Sequence, residues 1–313
     1  MSLRIVFLHV CVLGALLLAG FLLPDYHQTF VARALVLAAF AMGYNLTFGY
    51  GGLLSLGHSM FFAAGIYGAG LPMLHFGWSA SAGLVASIIS ALILSLVTMS
   101  LALRTRGVAF MIVTLMFAQV GAHAVLYFSE WTRGDEGFVL HISQRMLPFG
   151  IAPTDPTARY LIAWTICSTA LAVTLAVVKS RFGRSLVATR ENEERAALLG
   201  YNVFAIRLKA LLLSAALSGL AGGAYAILFG YVGGNFAGVQ YSILPLLWVL
   251  AGGAATTLGP VLGTLAISYL IDFASAFTSA WLFFVGAVLV MLVLFFPKGM
   301  LGSLRERYAR WLP

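Results

Sequence analysis

The sequence predicts an all-α, polytopic membrane protein with about ten transmembrane helices, including broken or re-entrant segments, and three observations carry that prediction. Of 313 residues, 61% are hydrophobic and 9% charged, against roughly 25% charged and 45–50% apolar in soluble domains. Apolar runs near the membrane-spanning length of about 20 residues recur from one end to the other, leaving no block polar enough for a separate water-soluble domain. The Lys and Arg residues gather in short connections between those runs, as the positive-inside bias requires. Residues 1–313 therefore read as a single transmembrane domain in contact with the lipid bilayer.

The expected spans are 5–23, 31–49, 51–72, 79–101, 107–127, 159–178, 209–229, 243–256, 259–275 and 280–297. Arg4 precedes the first apolar core, but LLLAGFLLPDYH offers no convincing small-residue cleavage site, so this span is expected to be retained. The eighth and ninth are short and interrupted by AGGAATTLGP, which fits two spans or one re-entrant pair. Ten spans from a cytoplasmic N-terminus place Arg4, Arg104, Arg106, the 179–209 connection and the tail from Lys298 on the cytoplasmic side, with the C-terminus. The other side receives Asp25, Asp135, Glu136 and Asp155.

The net charge of +8 is explained by this loop bias and gives no reason to invoke nucleic acid. Cys11 and Cys167 both fall in apolar runs, so neither a disulfide framework nor a metal site is indicated. Residues 129–158 form the one sizeable external loop, whose apolar pieces FVLHI and MLPFGIAP suit a segment folded back on the membrane. Trp131, Tyr160 and Trp164 are expected near that interface as anchors.

Asn45 to Gly70 reads NLTFGYGGLLSLGHSMFFAAGIYGAG, a membrane-length run with seven glycines and one histidine. Unpaired peptide groups cost several kcal/mol in hydrocarbon, so a broken helix survives only where protein or an aqueous cavity satisfies it. The density of Gly49, Gly51 and Gly52 exceeds what one helix crossing needs. It predicts a bend or break near Gly51, followed by a helix that crosses its neighbours through Ser55, Ala63, Ala64 and Gly68. Gly51, Gly52, Ser55, Gly57 and His58 then either line a translocation path or support it. The His58 ring is within reach of Ser55, three residues earlier, or of a carbonyl across a helix interface. With no H-E-x-x-H pattern and no nearby carboxylate, it points to neither catalysis nor metal binding.

LAGGAATTLGPVLG, residues 250–263, repeats the theme with Gly252, Gly253, Thr256 and Thr257 before Pro260, which argues against one uninterrupted helix. A glycine-rich break in each half fits transporter architecture. Asp272 is embedded in the late run SYLIDFASAF, where it either marks a polar cavity or meets water at the outer end of its span.

The 179–209 segment carries seven Lys and Arg against three Glu. Asn192 is placed to cap a short helix with Glu193 and Glu194 in its first turn, and Gly200 to end it. Arg190, Arg195 and Arg207 flank it, and Ala196 to Leu199 offer a compact apolar surface. The segment fits a docking element; an ordinary positive-inside loop would need only the arginines.

GYGGLLSLGHSMFFAAGIYGAG, SRFGRSLVATRENEERAALLGYNVFAIRLKA and LAGGAATTLGPVLG resemble, in order and character, the inner-membrane permease subunits of branched-chain amino acid ABC transporters. The resemblance covers nearly the whole chain. ABC permeases carry a cytoplasmic EAA loop with glycine after three further residues, and here Glu194, Arg195, Ala196 and Gly200 occupy that spacing, with arginine in place of the first alanine. The resemblance implies that 179–208 is a cytoplasmic coupling loop, with Arg190, Glu193, Glu194, Arg195, Ala196 and Gly200 at its docking helix.

It also implies a second homologous permease subunit, two ATP-binding subunits, a periplasmic substrate-binding protein and an inner-membrane location. Leu, Ile and Val are the implied substrates; urea, short amides and other small amino or organic acids use the same permease design. None of the three lysines follows a glycine, so the chain has no G-x-x-x-x-G-K-[ST] phosphate loop. ATP hydrolysis is thus expected in partner subunits, and no cofactor is called for. An ion-coupled secondary transporter would need its coupling groups in the membrane, where Asp272, His58 and His123 are the candidates. A membrane enzyme would need a convergent acid, base or metal set.

Overall fold

A computed structural model of the chain describes residues 3–147, 150–277, 280–295 and 298–307. The helices follow the apolar runs. They are α1 (Leu3–Leu22), α2 (Asp25–Asn45), α3 (His58–Phe76), α4 (Ala80–Ala102), α5 (Val108–Tyr127), the single turn α6 (Ser129–Thr132) and α7 (Pro156–Lys179). Two short helices, α8 (Arg181–Glu191) and α9 (Glu193–Leu198), lead into α10 (Val203–Phe229). The chain continues through α11 (Gln240–Gly252), α12 (Gly259–Phe277), α13 (Trp281–Phe295) and α14 (Gly299–Arg307). Eight helices among the described residues are long and apolar enough to cross a membrane, with α11 shorter at 13 residues.

Burial sorts these helices into an inner and an outer set. The apolar window of α2 is 83% buried and that of α10 is 78% buried, against 17% for α5 and 11% for α1. The inner pair can be central because α10 is rich in small residues. Gly65 of α3 meets the Gly219 backbone, and Gly222 meets the Phe62 carbonyl, so the two helices touch backbone to backbone. Close approach through small residues maximises dispersion contact where lipid provides no hydrophobic drive. Gly68, by contrast, faces Ser90 and Ala86 of α4. The outer helices carry large apolar side chains at their exposed positions, among them Val85, Ile89 and Ile93 of α4 and Ile112, Met116 and Val120 of α5.

Connections gather at two ends of the bundle. At one end lie the breaks after α2 and α11, the α4–α5 turn, and α8–α9; Arg190 donates to the Gly49 carbonyl, and Arg106 pairs with Glu193 at 3.5 Å. At the other end lie residues 129–147 and 150–155, whose strand β1 (Phe138–Val139) pairs antiparallel with β2 (Tyr231–Val232), Phe138 opposite Val232.

Several local expectations are corrected. The second span begins at Asp25 rather than 31, with Asp25 in the first turn where its charge suits the helix dipole, so Arg33 lies well inside the helix. The third helix begins at His58 rather than 51, so Ser55 belongs to the irregular segment and takes no part in a helix crossing. Tyr160 and Trp164 do not act as free interface anchors. Tyr160 is fully buried and donates to the Leu16 carbonyl, while Trp164 Nε1 donates to the Leu13 carbonyl at 3.0 Å, so both fasten α1 to α7. Trp131 is exposed beside the His75 ring.

Candidate functional site

The break after α2 is a hydrogen-bonded structure. Asn45 ends α2, a π-helical turn covers Leu46–Tyr50, and residues 51–57 run without helix before α3 starts. Starting a helix inside the bundle exposes its first N–H groups, which need acceptors. Neighbouring hydroxyls supply them: Leu56 N donates to Thr114 Oγ1 of α5 at 3.1 Å, and Ser59 N donates to Ser242 Oγ of α11 at 3.0 Å. Gly57 N donates to Ser55 Oγ at 3.2 Å, which gives the fully buried Ser55 its task. Gly57 packs against the Thr114 backbone.

His58 is completely buried among these caps. Its Nε2 lies 2.9 Å from Ser214 Oγ of α10 and 3.4 Å from Thr47 Oγ1, with Tyr44 and Phe61 rings edge-on around it. Its partner is therefore Ser214, not Ser55. Gly51 is buried against Leu186 of α8; Gly52 adopts φ +67° beneath the Arg190 side chain, a conformation and a closeness that favour glycine.

The second break folds onto the first through Asn45. Asn45 Nδ2 donates to the Thr256 carbonyl at 2.9 Å and Asn45 Oδ1 accepts from Ala255 N at 3.1 Å, so one fully buried amide holds both sides of the 253–258 segment. Gly253 at φ +119° turns the chain out of α11, and Thr256 Oγ1 donates back to its carbonyl at 2.7 Å. Gly252 packs on the backbone of Gly259, and Thr257 Oγ1 lies 2.8 Å from His9 Nε2 of α1. The two glycine-rich segments, some 200 residues apart in the chain, are thus brought together.

The 179–209 connection sits beside this pair. It forms two helices where one was expected. Asn192 Oδ1 accepts from Arg195 N at 2.8 Å to start α9, and Gly200, at φ +86°, follows its end. Ala196 is buried, while Leu198 and Leu199 are 89% and 73% exposed, a pair of large apolar side chains on a charged loop. Arg195 and Glu194 are exposed. Glu193 pairs with Arg207 of α10 at 2.9 Å as well as with Arg106, and Arg190 reaches the first break. The loop is therefore fastened to α10, to the α4–α5 turn and to the segment that leads into His58.

Asp272 accepts from Tyr26 Oη on both carboxylate oxygens, at 3.0 and 3.1 Å, joining α12 to the start of α2, and His123 is exposed on α5. Sequence reading passed over Asn45 and Ser214, although an asparagine inside a membrane-length apolar run is itself a signal. It also passed over an arginine cluster at the far end. Arg33 and Arg159 place their guanidinium carbons 5.3 and 5.7 Å from the Phe229 ring centroid, and Arg145 packs on Gly230. Arg145 Nη1 donates to the Ile227 carbonyl at 3.2 Å. Burial, and then the neighbouring Arg159, lower the Arg145 guanidinium from its ordinary value.

A bundle of spanning helices, broken in both halves by internally capped segments and fastened to an exposed loop helix, has the build of a multi-pass transport subunit. The family described as "Branched-chain amino acid transport system / permease component" matches residues 27–294, and the chain belongs to it. It is 28% identical to the high-affinity branched-chain amino acid transport system permease protein LivM of Salmonella typhimurium, over 85% of this chain and 68% of that relative. LivM of Escherichia coli gives the same values. A probable branched-chain amino acid transport permease protein LivM of Methanocaldococcus jannaschii is 28% identical over 45% of this chain and 46% of its own length. The motif resemblance and the family agree.

Proposed function

We propose that this chain is the permease subunit of an ATP-driven importer that moves branched-chain amino acids across the inner membrane, with the α9 end in the cytoplasm. The observation that carries the reading is α9 itself. Its exposed Leu198 and Leu199 offer an apolar docking surface, while Glu193 and Arg190 fasten the same loop to α10 and to the first break. A force applied at α9 thereby reaches the two most central elements of the bundle through short, specific bonds. The partners are a second homologous permease, two ATP-binding subunits that contact 179–208, and a binding protein that delivers substrate to the opposite face. ATP-driven closure of the ATPase pair shifts α9, and the breaks, with Gly51 to His58 and Gly252 to Thr257, support the path whose access alternates.

Reconstitution with those partners tests this directly. Leucine-stimulated ATP hydrolysis is expected from the full complex and none from the permease alone. Leu198→Glu is expected to abolish stimulation and release the ATPase subunits, because a buried unpaired carboxylate at the interface is strongly unfavourable. Normal stimulation in that variant, or turnover by the isolated chain, overturns the reading, and a panel including urea and short amides reports the substrate.

A further inference from the structure

We propose that Arg33, Arg145 and Arg159 form a binding station for the carboxylate of a small solute, at the end of the bundle opposite α9. The inference deepens the importer reading and rests on it for the identity of the solute. Three guanidinium groups converge on one corner of the chain, Phe229–Gly230, at the end of α10. Arg33 and Arg159 lie over the Phe229 ring, and the next residue, Gly230, is in contact with the Arg145 guanidinium.

Arg159 donates to the Pro153 carbonyl at 2.9 Å and to Thr29 Oγ1 at 3.5 Å, but none of the three cations is paired with a carboxylate among the described residues. Neither ion pair among the described residues involves any of them. Asp155, next in sequence to α7, is occupied as its cap and accepts from Ala158 N at 3.0 Å. Arg145 is 8% exposed, and its Nε has no hydrogen-bond partner among the described residues. A buried donor left unpaired beside two further cations is costly, and a carboxylate repays that cost because its two oxygens match the guanidinium fork.

Depth decides what kind of carboxylate fits. Arg33 is eight residues along α2 from Asp25, about 12 Å by helix rise, yet its side chain is exposed. An arginine exposed at that depth in a spanning helix faces a polar cavity or a partner rather than lipid. With Arg145 nearly covered, a small free carboxylate reaches the corner more readily than a side chain on a docking protein. The Tyr225 ring lies 4.8 Å from the Phe229 ring, centroid to centroid, beside the same corner. The cluster further sits on the face that the positive-inside bias leaves poor in cations, so loop topology does not account for it.

The test uses the full reconstituted complex and two probes of one shape, isovalerate, which carries a carboxylate, and isovaleramide, which does not. Isovalerate is expected to raise the unfolding temperature of the complex and isovaleramide to leave it unchanged. Arg33→Gln should remove the isovalerate shift and Arg33→Lys should retain part of it. Arg33 is exposed and makes no intramolecular hydrogen bond among the described residues, so both variants are compatible with the fold. Equal shifts from the two probes, or a full shift in Arg33→Gln, overturn the proposal.

In proteoliposomes, Arg33→Gln should lower maximal leucine uptake about ten-fold, the loss that follows from one charge-assisted hydrogen bond. The half-saturating concentration of leucine-loaded binding protein should not move. A change confined to that half-saturation assigns the arginines to docking the delivery protein and overturns the proposal. If the wild-type complex moves no leucine, the importer reading fails, while the isovalerate titration still decides the site.

Discussion

The two ends of the bundle differ in what their polar side chains meet. At the α9 end, helix breaks would leave peptide groups bare, and the chain meets them with its own side chains: Asn45 holds the second break, Thr114 and Ser242 cap the start of α3, and Ser214 receives His58. At the opposite end, three arginines crowd one aromatic corner and the chain supplies no dedicated counter-charge. Side chains bonded to the peptide groups of a break hold helices in register, whereas cations without a counter-charge favour an anion. On the importer reading, the contrast would separate a mechanical end from a receiving end.

Asn45→Leu should break this contrast most severely. It removes both bonds to the second break, the one to the Thr256 carbonyl and the one from Ala255 N, a loss on the order of 3 kcal/mol. Thermal unfolding of the purified complex should show it. Ser214→Ala should cost less, about 1 kcal/mol, because Thr47 remains beside His58 at 3.4 Å. A loss as large as that of Asn45→Leu would mean that His58, not Asn45, organises this end.

The smallest expected effect is at the other end, and it sharpens the comparison by its size. Replacing a buried, unpaired cation by an apolar side chain of similar volume is often neutral or favourable. Arg145→Met should therefore change unfolding stability by less than about 1 kcal/mol, even though the bond to the Ile227 carbonyl is lost. A fall of several kcal/mol in the same measurement would make the cluster a structural device and erase the difference between the ends.

Much of this was legible in advance, for identifiable reasons. The break near Gly51 was readable because three glycines in four positions exceed what helix packing needs, and the α9 cap because Asn192 precedes two glutamates. His58 was expected to meet Ser55 or a carbonyl across a helix interface, but its partner Ser214 lies 156 residues away and nothing local points to it. Arg33 escaped notice because the second span was begun at 31, where an arginine looks like a flank; with the helix starting at Asp25, the same residue lies two turns inside.

Composition, hydropathy and loop charge were enough for an all-α membrane chain, the rough placing of most of its spans and the loop that carries α9, because each is a sum over neighbours in sequence. The pairing of the two breaks through Asn45, the burial of His58 and the convergence of Arg33, Arg145 and Arg159 on Phe229 belong to the tertiary structure. Each depends on which distant backbone group or ring a polar side chain meets once the helices have packed.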